Sequence, residues 1–489
     1  MIKLETTEDT ALEGILTAAT TAADVLRRTD RSTRASYLNA VADGLDAAGD
    51  VLVPIAQRET NLPEGRLRGE LKRTTFQLRL FAETIVDGGY LDVRIDHADA
   101  DWPMGAPRPD LRRTHIPLGP VAVFAASNFP FAFSVAGGDT ASALAGGNPV
   151  VVKAHSGHLE LSKETARVVN QSLGAAGAPE GTFGIVYDID AGRSIVSDPR
   201  IKAVGFTGSI PGGRALFDIA QQRPDPIPFY GELGSNNPVF VTEAADKARG
   251  AAIAEEFVGS FTMGAGQFCT KPGTIFVPAG SAFLAALREI DLPSGAALLN
   301  ERIREGYVGA IQDLKSAEGV ETLLSGSDPF GENPSPILHL TTAKQVLENA
   351  HVLLEECFGP AALVVEYEGE ESLVDLANVF EGQLTASLQA EDSDHLAELI
   401  DVLATKAGRV LWNQWPTGVS VTYAQQHGGP YPASTHSGST SVGTAAIARF
   451  IRPVAFQGFP QQFLPDELRD ELRDEPDARV SQRLVDGRA

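Results

Sequence analysis

The stretch Gly264-Ala265-Gly266-Gln267-Phe268-Cys269-Thr270 holds one of two cysteines among 489 residues and sets it among small neighbours. A thiolate is a strong nucleophile, and glycines beside it let another molecule approach the sulfur closely. A small buried packing residue is the competing reading of Cys269. The choice rests on which other chemistry-bearing residues the chain can bring to it.

Five further stretches qualify. Ala126-Ser127-Asn128-Phe129-Pro130 follows an apolar, strand-like run, and ligands of open α/β sheets gather at the carboxyl ends of strands. The Asn128 amide can donate to a developing oxyanion, although a loop asparagine often only closes a turn. Val151-Val152-Lys153-Ala154-His155-Ser156 is a second strand end, where Lys153 can hold ribose or phosphate or simply be solvated. In Phe206-Thr207-Gly208-Ser209-Ile210 a strand meets a Gly/Ser turn and a helix start, whose free N–H groups suit a phosphate. That turn lacks the G-x-G-x-x-G spacing of a dinucleotide fingerprint. Two acids sit where apolar segments meet glycine turns: Glu232 in Tyr230-Gly231-Glu232-Leu233-Gly234, and Glu356 in Glu355-Glu356-Cys357-Phe358-Gly359-Pro360. A carboxylate in a partly apolar cleft can serve as a general base, whereas most glutamates are surface residues.

The elements that must position these residues are legible from periodicity. The first hundred residues read as helical, with Tyr37, Leu38, Val41 and Leu45 at helical spacing and a second amphipathic helix over about 69–86. Residues 92–117 are polar and proline-rich, an extended excursion. From 118, strand-like runs at 121–126, 149–153, 182–187 and 202–206 alternate with helical stretches such as 159–173 and 190–197. This is the rhythm of a parallel sheet covered by helices, a Rossmann-like unit. A second α/β region begins near 233, with strands at 239–241, 273–277 and 361–365. Over 465–475, a proline, several acids and the stripe Leu464, Leu468, Leu472 predict a helix packed by one leucine edge.

Composition excludes some partners. The 64 acidic against 40 basic side chains give a formal net charge of −24, which argues against nucleic acid or an anionic membrane. No signal-like start and no apolar run of membrane-spanning length is seen, and two cysteines make neither a disulfide framework nor a zinc cluster. A cytoplasmic protein without a metal is expected.

In order and in flanking residues, these stretches resemble the aldehyde dehydrogenase superfamily over nearly the whole chain. The Glu232-Leu233-Gly234 and Gly266-Gln267-Phe268-Cys269 segments carry the resemblance most specifically. It implies an α/β fold with a Rossmann-like coenzyme domain (1–91 and 119–232), an α/β catalytic domain (233–429) and a small oligomerisation arm (92–118 and 430–460). A C-terminal helix and tail (461–489) complete the chain, and the assembly would be a homodimer or homotetramer. The resemblance also assigns roles. Cys269 is the nucleophile, Asn128 with the Cys269 backbone N–H forms the oxyanion hole, and Glu232 is the base for cysteine or water. Lys153 and Ser156 fall at the adenosine ribose, Gly208 and Ser209 at the pyrophosphate, Glu356 at the nicotinamide ribose and Phe358 beside the nicotinamide.

Three departures from the family pattern matter. Ser156 stands where NAD-preferring members often carry a glutamate that would repel a 2′-phosphate, so NADP is the expected cofactor, with NAD also usable. Ser235-Asn236 replaces the usual Gly-Lys after Glu-Leu-Gly, leaving the base itself in place. Cys357 within the Glu356 segment reads as a small packing residue.

Substrate choice is implied by the family's tunnel. Its walls would use Arg73, Thr74 and Gln77 on the second helix, Phe129, Phe133 and Ala136 after Asn128, Phe261 and Met263 before Cys269, and the loop 413–419. Arg73 suits a carboxylate, against a competing reading as part of a surface patch with Lys72 and Arg79. The chain is most similar to the branch that oxidises α-ketoglutaric semialdehyde (2,5-dioxovalerate) to 2-oxoglutarate, which makes an anionic aldehyde the expected substrate. Alternatives are another short semialdehyde acid or a neutral aldehyde, an acylating dehydrogenase using coenzyme A, and a cysteine esterase. An esterase would leave Lys153 and Glu356 without a role, and a positioned base at Glu232 favours water over coenzyme A.

Overall fold

The computed structural model describes residues 6–370, 372–472, 475 and 479–488. Its first sheet has five parallel strands in the order Phe183–Val186, Val150–Lys153, Val121–Phe124, Ala203–Thr207, Phe229–Glu232. Residues alternate between its faces, as the period of two requires. Val121, Val123, Val150 and Val152 bury in a core covered by the helices Gly138–Ala145 and Leu159–Ala175, on which Arg31–Ala47 and Glu64–Asp87 pack as an outer layer. Ala122, Phe124, Val151 and Phe206 bury on the opposite face against Asp9–Leu26, Ile189–Ser197 and Ile210–Gln222. A sheet covered on both faces explains why its strands read as unbroken apolar runs.

The second sheet has seven strands, in the order Glu321–Ser325, Ile337–Thr342, Ala361–Tyr367, Thr274–Pro278, Val239–Val241, Gln383–Gln389, Ala407–Trp412. All its pairings are parallel except that of the edge strand Glu321–Ser325. It too is buried on both faces: Phe240, Phe276 and Leu363 on one, Val239, Ile275 and Val364 on the other.

A four-stranded sheet joins distant parts of the chain, in the order Ile451–Gln457, Leu111–Pro117, Val93–Asp96, Arg483–Val485. The proline-rich excursion thus supplies two of its strands. Residues 430–460, expected to lie together in the arm, divide. Ile451–Gln457 joins this sheet, whereas Ser434 bridges Glu232 and Ser441 reaches the Glu232 carboxylate.

The helix expected over 465–475 does not form; the chain makes two 3-10 turns, Gln461–Phe463 and Asp466–Leu468, and residues 473 and 474 lie outside the described part. Leu464 and Leu468 do bury together, with Leu91, Val93 and Ile95. Arginines take the carbonyls a helix would use: Arg469 Nε donates to Leu464 O at 2.9 Å and Arg112 Nη1 to Leu468 O at 2.7 Å. Among the described residues no helix is long and apolar enough to cross a membrane.

Candidate active site

Parallel pairing puts the carboxyl ends of all five strands of the first sheet at one edge. Strands Val121–Phe124 and Ala203–Thr207 are neighbours there although their connections run in opposite directions, which makes a crevice between them. Asn128 follows the first of these strands and Gly208-Ser209 the second, while Lys153 and Glu232 end two others. Ser209 caps the helix Ile210–Gln222, its Oγ accepting from Gly212 N at 3.4 Å. A Cβ on Gly213 would lie 2.3 Å from Leu233 Cδ2, so glycine lets this helix start sit against the Glu232 segment without displacing that side chain.

The cysteine loop is held from several sides. Gly264, Ala265 and Gly266 all have positive φ (58°, 53° and 67°), and a Cβ on Gly266 would lie 2.0 Å from Gly359 O. Asn237 Nδ2 donates to Cys269 O at 2.8 Å and to Lys271 O at 3.0 Å. Buried Lys271 donates from Nζ to Cys357 O at 2.6 Å and Ala361 O at 2.7 Å, strapping the Glu356 segment to the loop. The departures Ser235 and Asn236 belong to this scaffold: Ser235 Oγ and Asn236 N both donate to Gln383 Oε1, at 3.1 and 2.8 Å. Asn128 Nδ2 donates to Gln267 O at 3.2 Å, which brings that amide to the same loop.

A residue that sequence patterns did not reveal completes the centre. His427 Nε2 lies 3.5 Å from Cys269 Sγ and 2.8 Å from Glu232 Oε1, while Ser441 Oγ donates to Glu232 Oε2 at 2.5 Å. His427 and Glu232 are both buried. Burial pushes the Glu232 carboxyl up, but His427, Ser441 and Cys269 together hold it below the usual carboxylate range. Burial and then the Glu232 charge raise the Cys269 thiol well above its usual range. The arrangement is a neutral thiol beside an ionised carboxylate, with an imidazole nitrogen facing both. It can take a proton from sulfur as sulfur attacks an electrophile, and later from water.

Two half-buried arginines approach this centre from the helix Glu64–Asp87. Arg66 lies over the rings of Phe129 and Phe268, 5.2 and 4.7 Å from their centroids, and donates from Nη2 to Asn128 O at 2.7 Å. Arg73 lies 5.4 Å from the Phe133 centroid and donates weakly to Val419 O at 3.4 Å. In both, Nη1 is buried without a hydrogen-bond partner. Burial lowers the pKa of each guanidinium. Between them Glu70 Oε1 accepts from Phe131 N (2.7 Å) and Ala132 N (2.9 Å), fixing the turn that carries Phe129 and Phe133. The loop 413–419 reaches the same place, Gly418 N donating to Thr270 Oγ1 at 3.4 Å. Met263 is exposed. Phe261 and Ala136, expected in a tunnel wall, are instead core residues, and Gln77 is buried against Gly138.

Residues 1–452 match the sequence model of the aldehyde dehydrogenase family. The chain belongs to the aldehyde dehydrogenase family. It is 44% identical over 453 residues to the alpha-ketoglutaric semialdehyde dehydrogenase of Acinetobacter baylyi, covering 91% of this chain and 86% of that protein. To alpha-ketoglutaric semialdehyde dehydrogenase 2 of Azospirillum brasilense it is 43% identical over 476 residues, 95% of this chain and 89% of the relative. Its fold matches the crystal structure of succinic semialdehyde dehydrogenase from Streptococcus pyogenes in complex with NADP+ with a TM-score of 0.78 at 18% identity, covering 93% of this chain and 96% of that one. The protein is an oxidoreductase acting on aldehydes, with a nicotinamide nucleotide as cofactor.

The residues of this aldehyde dehydrogenase fit such a cofactor. Lys153, at its strand end, has no hydrogen-bond or ion-pair partner among the described residues, and burial lowers its pKa. Glu356 is pushed up to about 7 by burial, relieved in part by Lys271 and by the Ser235 N–H. A Cβ on Gly234 would lie 2.3 Å from Glu356 Oε2. A partnerless cation and a desolvated carboxylate flanking one crevice suit the two ribose diols. Ser156 is exposed and Phe358 half-buried. His155 is pushed down to about 3 by burial, then by His158 and Lys153, so it adds no charge beside Lys153 at neutral pH. Arg302, which no motif marked, acts electrostatically on both Lys153 and His155 and adds a cation there.

Proposed function

We propose that this enzyme oxidises α-ketoglutaric semialdehyde to 2-oxoglutarate through a thioester on Cys269, with NADP preferred over NAD. The observation that carries the substrate class is the pair of half-buried arginines, Arg66 and Arg73, with buried and unpartnered Nη1 atoms beside the Phe129, Phe133 and Phe268 rings. In a chain with a net charge of −24 such a pocket is a local exception, and a short aldehyde bearing a carboxylate satisfies it. The names of the relatives at 43 and 44% identity point the same way.

Cys269 Sγ attacks the aldehyde carbon while its proton passes to Glu232, which hydrogen-bonds the thiol directly. The Asn128 amide and the Cys269 backbone N–H are the donors for the resulting oxyanion. Lys153, Ser156 and the Gly208-Ser209 turn would hold one end of the nicotinamide nucleotide and Glu356 and Phe358 the other, and the nucleotide would supply the two-electron acceptor. Glu232 releases the thiol proton to solvent before it takes a second one from the water that cleaves the thioester, and Ser441 and His427 favour its return to the ionised form. Serine at 156, with Lys153 and Arg302 near, supports a 2′-phosphate, so Ser156→Glu should move the preference toward NAD by roughly tenfold or more.

Initial rates with α-ketoglutaric semialdehyde, other semialdehyde acids and neutral aldehydes of similar length, each with NAD and NADP, test the reading. Arg73→Ala should lower kcat/KM for the acids by roughly 100-fold, the worth of a charge-assisted contact, and for neutral aldehydes far less. Equal losses on both would reject the anionic substrate. Aldehyde-dependent nicotinamide reduction surviving in Cys269→Ala would reject the nucleophile.

A further inference from the structure

We propose that Cys269, His427 and Glu232 also form a binding site for a thiophilic divalent cation of the zinc class, which reversibly blocks the enzyme. The inhibitory consequence rests on the roles proposed above for Cys269 and Glu232; the binding itself does not.

Sulfur, imidazole nitrogen and carboxylate oxygen are the three ligand types zinc selects. One of each is present, and their ligand atoms all lie within 4.8 Å of one another. Among the described residues no other set of three such groups comes together. The spacing is close to what the ion needs. Tetrahedral zinc, with bonds of about 2.3 Å to sulfur and about 2.0 Å to nitrogen, sets those two ligands about 3.5 Å apart. Cys269 Sγ and His427 Nε2 are 3.5 Å apart. The His427–Glu232 edge, at 2.8 Å, must open by about half an ångström to admit the ion.

The surroundings hold two of the ligands in place. Ser441 Oγ grips the other Glu232 oxygen at 2.5 Å, and Asn237 Nδ2 grips the Cys269 carbonyl at 2.8 Å. Charge also balances, since one dication meets one thiolate and one carboxylate in a buried setting. The ion replaces the thiol proton, which leaves to solvent, so each ion bound releases one proton.

One feature keeps the site from being a permanent metal centre. With Nε2 bound to the ion, the imidazole proton must sit on Nδ1, which is buried and has no protein partner. Metal-binding histidines usually give that proton to a neighbour, and its lack weakens the site. Three protein ligands also leave a fourth position for water, so the ion can exchange. While it is bound, the sulfur lone pair and the base are both engaged and neither is available to an aldehyde.

The test uses the full-length protein without nucleotide or aldehyde, so its outcome is independent of the substrate reading. Co2+ is the optical probe and Zn2+ the competitor. One Co2+ per chain should give a thiolate-to-cobalt charge-transfer band with tetrahedral d–d absorption, displaced by Zn2+ and untouched by Mg2+. The band should vanish in Cys269→Ala, although Cys357 remains. One equivalent of Zn2+ should slow iodoacetamide labelling of Cys269 by about tenfold or more, and a chelator should restore it. Glu232→Gln and His427→Ala should each weaken the ion by roughly 10- to 100-fold. Glu232→Gln keeps the shape of the site and serves if His427→Ala does not fold. A band that persists in Cys269→Ala, or labelling of Cys269 indifferent to Zn2+, overturns the proposal.

Discussion

At the scale of single residues, the thiol at the centre of this enzyme is the opposite of a pre-ionised cysteine. Burial and the Glu232 charge both favour the protonated form, so attack depends on a base within reach. Two consequences separate electrostatics from proton transfer. Labelling of Cys269 by iodoacetamide, which needs only thiolate, should keep rising with pH through the neutral range and not level off below the usual thiol pKa. In Glu232→Gln the neighbouring charge is gone, so labelling at a given pH should speed up while aldehyde turnover falls, by roughly 100-fold or more for a lost general base. His427→Ala should also lower kcat, by roughly 10- to 100-fold, because the imidazole faces sulfur and carboxylate, with a smaller effect on KM through its ring contact with Phe133. Parallel falls in labelling and turnover for Glu232→Gln would show instead that the substitution merely disorders the loop.

At the scale of elements, the helix Glu64–Asp87 joins coenzyme-sheet packing to the substrate pocket. One side buries Leu67, Leu71, Leu78 and Phe81 in the core behind the first sheet, where the helix packs on Arg31–Ala47, Gly49–Thr60 and Gly138–Ala145, and the same helix carries Arg66, Glu70 and Arg73. Both backbone bonds to Glu70 end on the same oxygen, Oε1. Glu70→Gln can therefore keep both, whereas Glu70→Ala strands two buried N–H groups. The expected loss is about 2–4 kcal/mol for alanine and much less for glutamine, measured by denaturant unfolding. Alanine should also raise KM, since the turn carrying Phe129 and Phe133 loses its anchor. This helix shows where sequence reading stopped. Its apolar stripe was visible, but the helix was expected to begin near Gly69 and begins at Glu64, so Arg66 fell outside it. Cys269, Glu232, Asn128 and Glu356 were legible because each sits in a short stretch whose neighbours carry the signal. His427 was not: it lies 158 residues from Cys269 and 195 from Glu232, on a segment with neither helix nor strand, and only the tertiary fold brings it in. The acidic C-terminal stretch misled in the other direction, since helix-start chemistry there gives way to Leu464 and Leu468 burying in the small sheet.

At the scale of the whole molecule, the desolvated Glu356 ties stability to pH. Its carboxyl titrates near 7 in the folded chain, against an ordinary value of 4.5. Between those values the folded state binds more protons than the unfolded one, so the contribution of Glu356 to stability is fully present below the ordinary value and is lost as pH rises through about 7. In thermal unfolding of the nucleotide-free enzyme, Glu356→Gln should be more stable than the parent at pH 8 and nearly equal to it at pH 5; a constant difference across that range would refute the linkage. The small sheet bears on assembly instead. It is built from residues 93–96, 111–117, 451–457 and 483–485, and we infer that it mediates self-association into a dimer or tetramer. Among the described residues its outer strand Ile451–Gln457 pairs on one side only, leaving an edge seven residues long of the kind that proteins cover. The last strand is held by Asp486, which accepts from His97 N at 2.9 Å and from Arg108 Nη2 at 2.7 Å. A chain ending at Leu472 loses that strand and these contacts, while every residue placed at the active site remains. Light scattering should then show a smaller assembly, with turnover per titrated Cys269 unchanged. An unchanged mass would assign self-association to another surface, and lost turnover with the mass preserved would mean that the sheet supports the active site within one chain.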